Sequence, residues 1–397
     1  MRVSPEHFFR VLAPAAVLLL LSLVLLKSSV PVQWPSMPTN LSALEEQRRP
    51  SGQFAGASRR DAGNGTLGFS GIYFINMKKR YDRLDALALQ CFLSGVEVKE
   101  VPAVEPDMMS DAGMPPSKSP SSVKVGERGA WRAHANIWST VLRNNLAPVI
   151  ILESDATWDV NIRSIMRNMN KHFRKFLTNI NSTRLHNPRW RDDTDTGEES
   201  TRRTEAEAAD DPWQSDHWDI LSLGHCHDSA ANRNISLIYD DPSVPPGKEF
   251  GDTVLGRQRV IRKAGGIVCT TGYAVSQTGA AKLLVTTAQN LDAPLDLIVR
   301  GMVEAGELVA YSVMPPIMAQ WQYVDGIGMD ERGANSDIQG AQEDEEDKDE
   351  EKKDSWDDVD RSGSVWTTKP YHEDVAFQDM ALEVAWQRIF GRNNEGE

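Results

Sequence analysis

Two acidic residues two positions apart, Glu153 and Asp155, are the clearest chemical feature of the sequence, and they flank Ser154. They follow the apolar run at 147–152, which predicts a buried strand. Because side chains alternate along an extended strand, we expect both carboxylates to project to one side. Two neighbouring anions favour a divalent cation, Mn²⁺ or Mg²⁺, which in turn binds diphosphate oxygens. The triplet at the end of a buried strand therefore predicts a metal site, formed by Glu153 and Asp155, that binds the diphosphate of a nucleotide. The alternative is a loop without a metal, since many loops contain two such acids.

The elements that must position this triplet alternate as in an α/β domain. Continuous apolar strands are covered on both faces, as in a parallel sheet, and ligands bind at the carboxyl ends of such strands. We therefore expect the triplet at the ligand-binding edge of a sheet with at least five strands. The first predicted strands and helices, in chain order, lie at 71–76, 80–92, 96–104, 128–142 and 147–155.

Composition limits the classes of function. The chain has 397 residues, of which 40% are hydrophobic, so it can bury the core of one large or two ordinary domains. Its net charge of −14 and its lack of a basic patch in the central segment argue against a nucleic-acid partner. The three cysteines, Cys91, Cys226 and Cys269, lack the paired spacing of a zinc site. We expect three buried thiols, with a Cys226–Cys269 bridge as the alternative.

An uncharged apolar run near the N-terminus predicts a membrane anchor. It spans 11–26, between Arg10 and Lys27, and as a helix it is just long enough to cross a thin bilayer. We expect an uncleaved transmembrane signal anchor, with 1–10 in the cytosol and the rest of the chain in the lumen. A cleaved signal peptide is the alternative, but no clear cleavage site follows the run. Four glycosylation sequons fit a luminal body, although about two would arise by chance; they begin at Asn40, Asn64, Asn181 and Asn234.

Four further segments complete the expected domain organisation. Residues 27–69 are rich in Pro, Ser, Gly and Ala, which predicts a flexible stem. Residues 191–216 and 328–364 are dominated by charged side chains, so we expect a disordered insert and an acidic disordered segment. An acidic tail that binds a partner is the alternative for the second of these. A helical segment is expected at 365–397.

The chain from Gly71 to Gln320 also resembles glycosyltransferase family 25, whose motifs are matched by eight collinear blocks. In chain order, these blocks are Ile75-Asn76 with Arg80, Asp82 and Arg83; Val101-Pro102-Ala103-Val104; Gly126-Glu127-Arg128-Gly129 with His134 and Trp138; Ile151-Leu152-Glu153-Ser154-Asp155-Ala156; Trp218-Asp219-Ile220 with Leu223-Gly224; Thr270-Thr271-Gly272-Tyr273 with Gly279-Ala280-Ala281-Lys282; Pro294-Leu295-Asp296; and Pro315-Pro316 with Gln320.

The resemblance implies a GT-A-like Rossmann-type domain at 70–325 that binds a nucleotide sugar. It implies transfer of a hexose, galactose by family preponderance, from a UDP-sugar to a hydroxyl group of a glycan or glycoprotein acceptor. It also implies inversion at the anomeric carbon and a divalent metal at the diphosphate. Together with the predicted anchor, it leads us to expect a single-pass type II protein of the Golgi or endoplasmic reticulum membrane, with a luminal catalytic domain.

Several residues outside the acidic triplet gain an implied role from the resemblance. For Asn76, Arg80 and Arg83 it implies nucleotide contacts, whereas the alternative is that they end a strand and solvate a helix. His134 is either a residue of the nucleotide pocket or a hydrogen-bonding partner in the core. Asp296 is either the general base that deprotonates the acceptor or the N-cap of a helix.

The sequence departs from the family pattern at four positions. Ala130 and Ala133 stand where the family usually has Cys and Ser, Ser154 replaces the middle acid of its acidic triplet, and Leu297 replaces an acid. If the metal needs the middle acid, coordination is weakened. The alternative function is therefore a catalytically inactive binding or scaffold protein of the secretory pathway. A glycoside hydrolase is disfavoured, because its two carboxylates stand about 5–9 Å apart across the scissile bond.

Overall fold

The computed structural model describes residues 61–78, 80–105, 108–118, 122–180, 211–213, 218–322, 369–370 and 377–391. All of them belong to the compact unit Arg59–Glu397. The predicted anchor at 11–26 and the predicted acidic segment at 328–364 lie outside the described residues, so both stay predictions. Among the helices that the structure does describe, none combines the length and the apolar character needed to cross a bilayer.

Strands and helices alternate through most of the described chain. The strands are β1 (Ile72–Asn76), β2 (Lys99–Pro102), β3 (Val149–Leu152), β4 (Ala156–Trp158), β5 (Ile220–Gly224), β6 (His227–Asp228), β7 (Ser236–Asp240), β8 (Glu249–Phe250), β9 (Thr253–Val254), β10 (Gln258–Lys263), β11 (Ile267–Val268), β12 (Gly272–Val275), β13 (Ala310–Met314), β14 (Met318–Gln322) and β15 (Lys369–Pro370). The helices are α1 (Tyr81–Ser94), α2 (Val125–Arg143), α3 (Ile162–Asn179), α4 (Gln277–Gln289), α5 (Leu295–Glu304) and α6 (Ala385–Phe390).

Eight of these strands form a mixed sheet in the order β2-β1-β3-β12-β5-β13-β10-β7. β1 pairs in parallel with β2 and β3, and β5 pairs in parallel with β13. β12 lies antiparallel between β3 and β5, and β10 lies antiparallel between β13 and β7. The mixed α/β architecture is compatible with the expected Rossmann-like fold. The sheet is not purely parallel, however. β12 begins opposite Leu152, the last residue of β3, and therefore runs antiparallel to it.

The apolar strand β3 is buried on both faces, as its sequence predicts. Ile150 and Leu152 belong to a core on one face of the sheet, which α3 covers with side chains such as Met166. Val149 and Ile151 belong to a second core on the other face, which is formed with α2, α4 and α5. Alternate residues of one strand thus contribute to two cores, since successive side chains point to opposite faces. Each apolar layer holds the strand in register.

The helix that carries His134 begins earlier than its periodicity predicts. α2 starts at Val125, where the Lys124 backbone N–H donates to the Glu127 carboxylate at 2.6 Å in a capping box. The buried side chains of this helix include His134, Trp138 and Val141, which recur at spacings of three and four. This apolar stripe directs His134 and Trp138 inward, against the sheet.

The chain after the main sheet folds back beside the acidic triplet. β14 pairs antiparallel with β4 and with β15. Met380 forms an isolated bridge with Asp159, and it packs with Trp321 and Leu382 against Ala86 of α1. The described part of the C-terminal segment therefore covers the elements that immediately follow the triplet.

The structure differs from the expected domain organisation at two places. The predicted stem included 61–69, but Leu67 and Phe69 are fully buried in the core, and Asn64 Oδ1 accepts hydrogen bonds from Thr66 N and Gly68 N in a tight turn. The predicted insert included Trp213, whose ring stacks on Phe69 with a centroid distance of 5.1 Å. The turn-forming residues at 63–68 have the composition of a flexible linker, which explains why the predicted stem included them.

A buried ion pair supplies the first test of this fold. Arg259 Nε donates to Asp241 Oδ2 at 2.7 Å, and a second guanidinium nitrogen donates to the carbonyl oxygens of Pro315 and Pro316, just before β14. Both charged side chains are almost fully buried. We expect Arg259→Met to lower the free energy of unfolding by about 3–5 kcal/mol, because it leaves a buried carboxylate uncompensated.

Urea unfolding followed by circular dichroism measures this loss. The control is the double variant Arg259→Met with Asp241→Leu, which removes both charges and should lose less stability than the single variant. Equal losses in the two proteins would contradict the idea that charge compensation at this pair stabilises the fold.

Candidate active site

The acidic triplet lies in a turn, because β3 ends at Leu152. Glu153 N donates to the Thr271 carbonyl oxygen at 3.0 Å, and Ala156 N donates to the Glu153 carbonyl oxygen at 3.1 Å. The expectation that the strand continues through Glu153 and Asp155 is therefore wrong. The turn, and not the pleat, sets the directions of the two carboxylates.

Arg83 of α1 supplies the positive charge beside this turn. Its guanidinium stands 3.6 Å from Asp155 Oδ2 and donates to Ser154 Oγ. Its charge also favours the ionised form of Glu153. Both Arg83 and Asp155 are almost fully buried, so their mutual attraction is little screened by solvent. The structure thus brings together three residues that the sequence nominates for the site.

Asp155 is the buried member of the acidic pair. Gln320 Nε2 of β14 donates to its Oδ2 atom at 2.8 Å. Its Oδ1 atom is also buried and accepts no hydrogen bond from another residue in the described part of the chain. Burial raises the pKa of this carboxyl group, and the charge of Glu153 raises it further, while Arg83 acts in the opposite direction. One carboxylate oxygen therefore keeps its coordination capacity.

Glu153 is the partly exposed member, with 28% of its side chain accessible. Its Oε1 atom accepts a 2.5 Å hydrogen bond from Thr270 Oγ1 and stands 3.7 Å from His134 Nε2. Burial acts to raise the pKa of Glu153, but His134, Thr270 and Arg83 outweigh it and the pKa is lowered. The two acids therefore differ: Glu153 readily ionises, and Asp155 retains its proton to higher pH.

A buried hydrogen-bond chain links Trp138, Tyr273 and His134. The Trp138 indole N–H can only donate, so the Tyr273 hydroxyl oxygen accepts from it at 3.0 Å. The same hydroxyl lies within hydrogen-bond distance of His134 Nδ1, at 2.9 Å. The other ring nitrogen, Nε2, faces Glu153 and stands 3.7 Å from its Oε1 atom. His134 is thus a hydrogen-bonding partner in the core that also lies beside Glu153, and its role in a nucleotide pocket stays a prediction.

Asp296 does not cap its helix. The N-cap of α5 is Pro294, and Asp296 is the second helical residue, so the N-cap interpretation is wrong. Its Oδ2 atom accepts a 3.3 Å hydrogen bond from Cys269 N, and its Oδ1 atom accepts one from Leu297 N at 2.9 Å. Cys269 directly precedes Thr270, whose hydroxyl donates to Glu153. Two consecutive residues therefore contact Asp296 and Glu153.

The other predicted nucleotide contacts lie at the end of β1 and the start of α1. Asn76 is the last residue of β1, and its Nδ2 atom donates to Glu100 Oε1 at 3.4 Å. Its Oδ1 atom is buried without a hydrogen-bond partner among the described residues. Arg80 forms two 3.0 Å contacts with the carboxylate of Asp82. The role of Asn76 and Arg80 in nucleotide binding stays a prediction.

Cys226 and Cys269 form a disulfide, which corrects the expectation of three free thiols. Their Cα atoms are 5.6 Å apart, because β6 and β11 pair antiparallel beside them. Cys91 is the thiol that stays free, and burial raises its pKa to about 12. The bridge closes a separation of 43 residues and lies next to the backbone that contacts Asp296.

The donor set of the turn is compatible with a divalent cation. Within the described residues, no group of three or more His, Cys, Asp or Glu side chains is placed to hold a metal. Mg²⁺ and Mn²⁺ commonly take only one or two carboxylates and complete their shell with water and phosphate oxygens. Glu153 and Asp155 meet that requirement, since Asp155 Oδ1 has no competing donor among the described residues.

Three contact residues were not nominated as site residues from the sequence. Thr270 and Gln320 hydrogen-bond the two acids, and Tyr273 orients His134. All three lie within blocks that resemble the family motifs. The family motifs could therefore have identified these three residues. Periodicity alone could not, because it does not show which polar side chains face the acids.

Comparison with known proteins finds a matching family model and distant relatives. The model of glycosyltransferase family 25 (LPS biosynthesis protein) matches residues 69–299. A glycosyltransferase 25 family member of Anopheles gambiae is 30% identical over 106 residues, which are 23% of this chain and 18% of that protein. Procollagen galactosyltransferase 2 of Homo sapiens is 25% identical over 130 residues, 30% of this chain and 20% of that protein. The mouse protein of the same name is 27% identical over 104 residues, 23% of this chain and 17% of that protein. The chain thus spans about a fifth of the length of these relatives.

The opposite pKa shifts of the two acids predict opposite effects on stability. Because the pKa of Asp155 is raised in the fold, its ionisation destabilises the folded state above the ordinary value of 3.8. Asp155→Asn should therefore raise the melting temperature at about pH 8, by about 2–4 °C for each kcal/mol. Glu153→Gln should lower it, since a depressed pKa means that the ionised form stabilises the fold.

Differential scanning fluorimetry in EDTA at about pH 8 and about pH 4 tests both signs. Both differences should shrink at the lower pH. The destabilisation by ionised Asp155 begins only above its ordinary pKa of 3.8, and the contribution of ionised Glu153 is being lost below its ordinary pKa of 4.5. A pair of variants that both melt early, by equal amounts at the two pH values, would contradict the assigned shifts.

Proposed function

The chain belongs to glycosyltransferase family 25, and on that premise we propose that it transfers a hexose from a UDP-sugar to a hydroxyl group of a glycan or glycoprotein acceptor. Galactose is the proposed sugar, because two of the relatives that the chain resembles are procollagen galactosyltransferases. The observation that carries the proposal is the buried turn in which Asp155 Oδ1 lacks a donor among the described residues.

Charge at this turn suits a diphosphate leaving group. Glu153 and Asp155 would hold a divalent cation, Mn²⁺ or Mg²⁺, which supplies positive charge to the diphosphate when bound. Arg83 stands beside the same turn and can add hydrogen bonds to phosphate oxygens. Asn76 is the last residue of β1 and Arg80 lies shortly after it, at the edge where such sheets bind nucleotides. We assign these three residues and His134 to the nucleotide-sugar pocket.

Asp296 is the proposed general base. In an inverting transfer the acceptor oxygen forms a bond to the anomeric carbon as the bond from that carbon to the diphosphate oxygen breaks. The acceptor proton passes to Asp296, whose carboxylate is oriented by the backbone N–H groups of Cys269 and Leu297. Inversion follows the family resemblance and requires no covalent sugar intermediate.

The disulfide supports a secretory location. Structural disulfides persist in oxidising compartments and are rare in the cytosol, and the Cys226–Cys269 bridge is compatible with the lumen of the Golgi or endoplasmic reticulum. The sequon residue Asn234 is exposed on a turn, as a glycan acceptor must be. We therefore propose a type II protein anchored by 11–26, with its catalytic domain in the lumen.

An inactive binding or scaffold protein is the second candidate. Ser154 replaces an acid of the family motif, and Arg83 already places a cation beside Asp155. Both features reduce the negative charge that is available to a metal. Release of UDP by the purified full-length chain, screened against several nucleotide sugars with Mn²⁺, separates the two candidates.

Metal-dependent donor binding is the first test. UDP should bind far more weakly in EDTA than in Mn²⁺, because the diphosphate and two carboxylates otherwise repel one another in one site. Isothermal titration calorimetry of the full-length chain measures both affinities. Equal affinity in EDTA and Mn²⁺ would remove the proposed metal role of Glu153 and Asp155.

Matched amide substitutions separate the base from the metal ligand. Asp296→Asn should keep the fold and UDP binding but lose turnover by about 10²–10⁴-fold, because the amide cannot take the acceptor proton. Asp155→Asn should weaken Mn²⁺-dependent UDP binding as well as turnover. Steady-state kinetics and calorimetry on the two variants make the comparison. Normal turnover in Asp296→Asn would show that another group is the base.

A further inference from the structure

A three-residue segment, Cys269–Thr271, contacts both functional acids. The backbone N–H of Cys269 donates to Asp296 Oδ2 at 3.3 Å, and the hydroxyl of Thr270 donates to Glu153 Oε1 at 2.5 Å. The carbonyl oxygen of Thr271 accepts from Glu153 N at 3.0 Å. The relative placement of the proposed base and the proposed metal ligand therefore depends on the conformation of this segment.

Cys269 has a backbone conformation that its side chain disfavours. Its φ angle is +68°, in the left-handed region, which residues with a Cβ atom rarely occupy. Such a residue keeps this conformation only when the surrounding structure holds it there. Its bond to Cys226 is one such restraint, because Cys226 is itself fixed by a 3.0 Å hydrogen bond from its N–H to the Val268 carbonyl oxygen.

The chain before Cys269 is restrained independently of the disulfide. β11 pairs with β6, and Asp228 Oδ1 accepts hydrogen bonds from Gly265 N at 2.9 Å and Gly266 N at 3.1 Å. Asp228 is buried and also accepts from Ser312 Oγ at 2.6 Å. Loss of the disulfide should therefore leave β11 in place and release only the residues after it.

We propose that the Cys226–Cys269 disulfide is a positioning element of the active site: it holds Cys269–Thr271 so that Glu153 and Asp296 keep their relative placement. This inference rests on the proposed function for the roles of the two acids. It predicts that opening the bridge lowers turnover by more than the loss of folded protein explains. It also predicts that reducing agents lower turnover. A disulfide that only stabilised the fold would affect turnover no more than it affects the folded population.

The test compares two alanine variants of the full-length chain. Cys226→Ala combined with Cys269→Ala removes the bridge, and Cys91→Ala is the matched control, since Cys91 lies on α1 and forms no disulfide. We expect the double variant to lose about 10–10²-fold in kcat, the size of effect that a small misplacement of catalytic groups produces. Its melting temperature should stay above the assay temperature, and the control should keep the wild-type kcat.

Hydrogen exchange by mass spectrometry provides a readout that does not need activity. In the double variant, peptides covering 269–275 and 295–300 should exchange faster than in the wild type, while peptides covering 149–152 and 220–224 stay protected. Faster exchange throughout the sheet, or no change at 269–275 and 295–300, would overturn the proposal. If the wild type releases no UDP, the proposed transferase function fails, and the exchange pattern still decides the positioning role.

Reduction of the wild type replaces the double variant if that variant does not fold. A dithiol opens the bridge, so that each cysteine sulfur gains a proton and an electron while the dithiol closes to its own disulfide. Turnover should fall on reduction and return on reoxidation, with the same local exchange pattern, and Cys91→Ala should respond as the wild type does. Full turnover in a chain whose bridge is shown by thiol labelling to be open would also overturn the proposal.

Discussion

Two carboxylates and one guanidinium meet in a buried turn after β3, and the rest of the site depends on stabilising this concentration of charge. Burial penalises charged groups unless partners compensate. Each acid is therefore supported from a different direction, Asp155 by Arg83 and Gln320 and Glu153 by Thr270 and His134. The partners come from α1, β14, the segment before β12, and α2. The turn thus links elements that are far apart in the chain.

The mixed topology of the sheet brings Thr270 and Thr271 to this turn. A purely parallel arrangement would bring the chain back through a crossover helix after each strand. Instead, β11 and the residues after it run along the carboxyl edge, and β12 enters the sheet antiparallel beside β3. This route places Thr270 and Thr271 directly at Glu153 before the chain leaves the edge. The chain that enters the antiparallel strand therefore brings one hydrogen-bond donor, the Thr270 hydroxyl, and one acceptor, the Thr271 carbonyl oxygen, to Glu153.

The sequence predicts the parts of this structure whose signal is local. β3 and α2 follow from a continuous apolar run and from helical periodicity, because burial on two faces or on one stripe selects residue types at fixed spacing. The disulfide could not be predicted in the same way, since it depends on the pairing of β6 with β11 across 43 residues. The end of β3 was also missed, because Glu153 and Asp155 are polar whether they continue the strand or form a turn. The predicted stem reached too far for a similar reason, since Leu67 and Phe69 are isolated apolar residues among turn formers.

Ser154 mainly changes the net charge of the turn. A third acid at this position would add negative charge beside Asp155, whose pKa is already raised by burial and by Glu153. Serine instead accepts a hydrogen bond from Arg83 and leaves the turn with two acids and one guanidinium. Such a turn attracts a divalent cation less strongly than three acids would, but it repels a diphosphate less as well. In the proposed transferase, Arg83 would therefore compensate more of the charge of the leaving group, and the cation less, than in a turn with three acids.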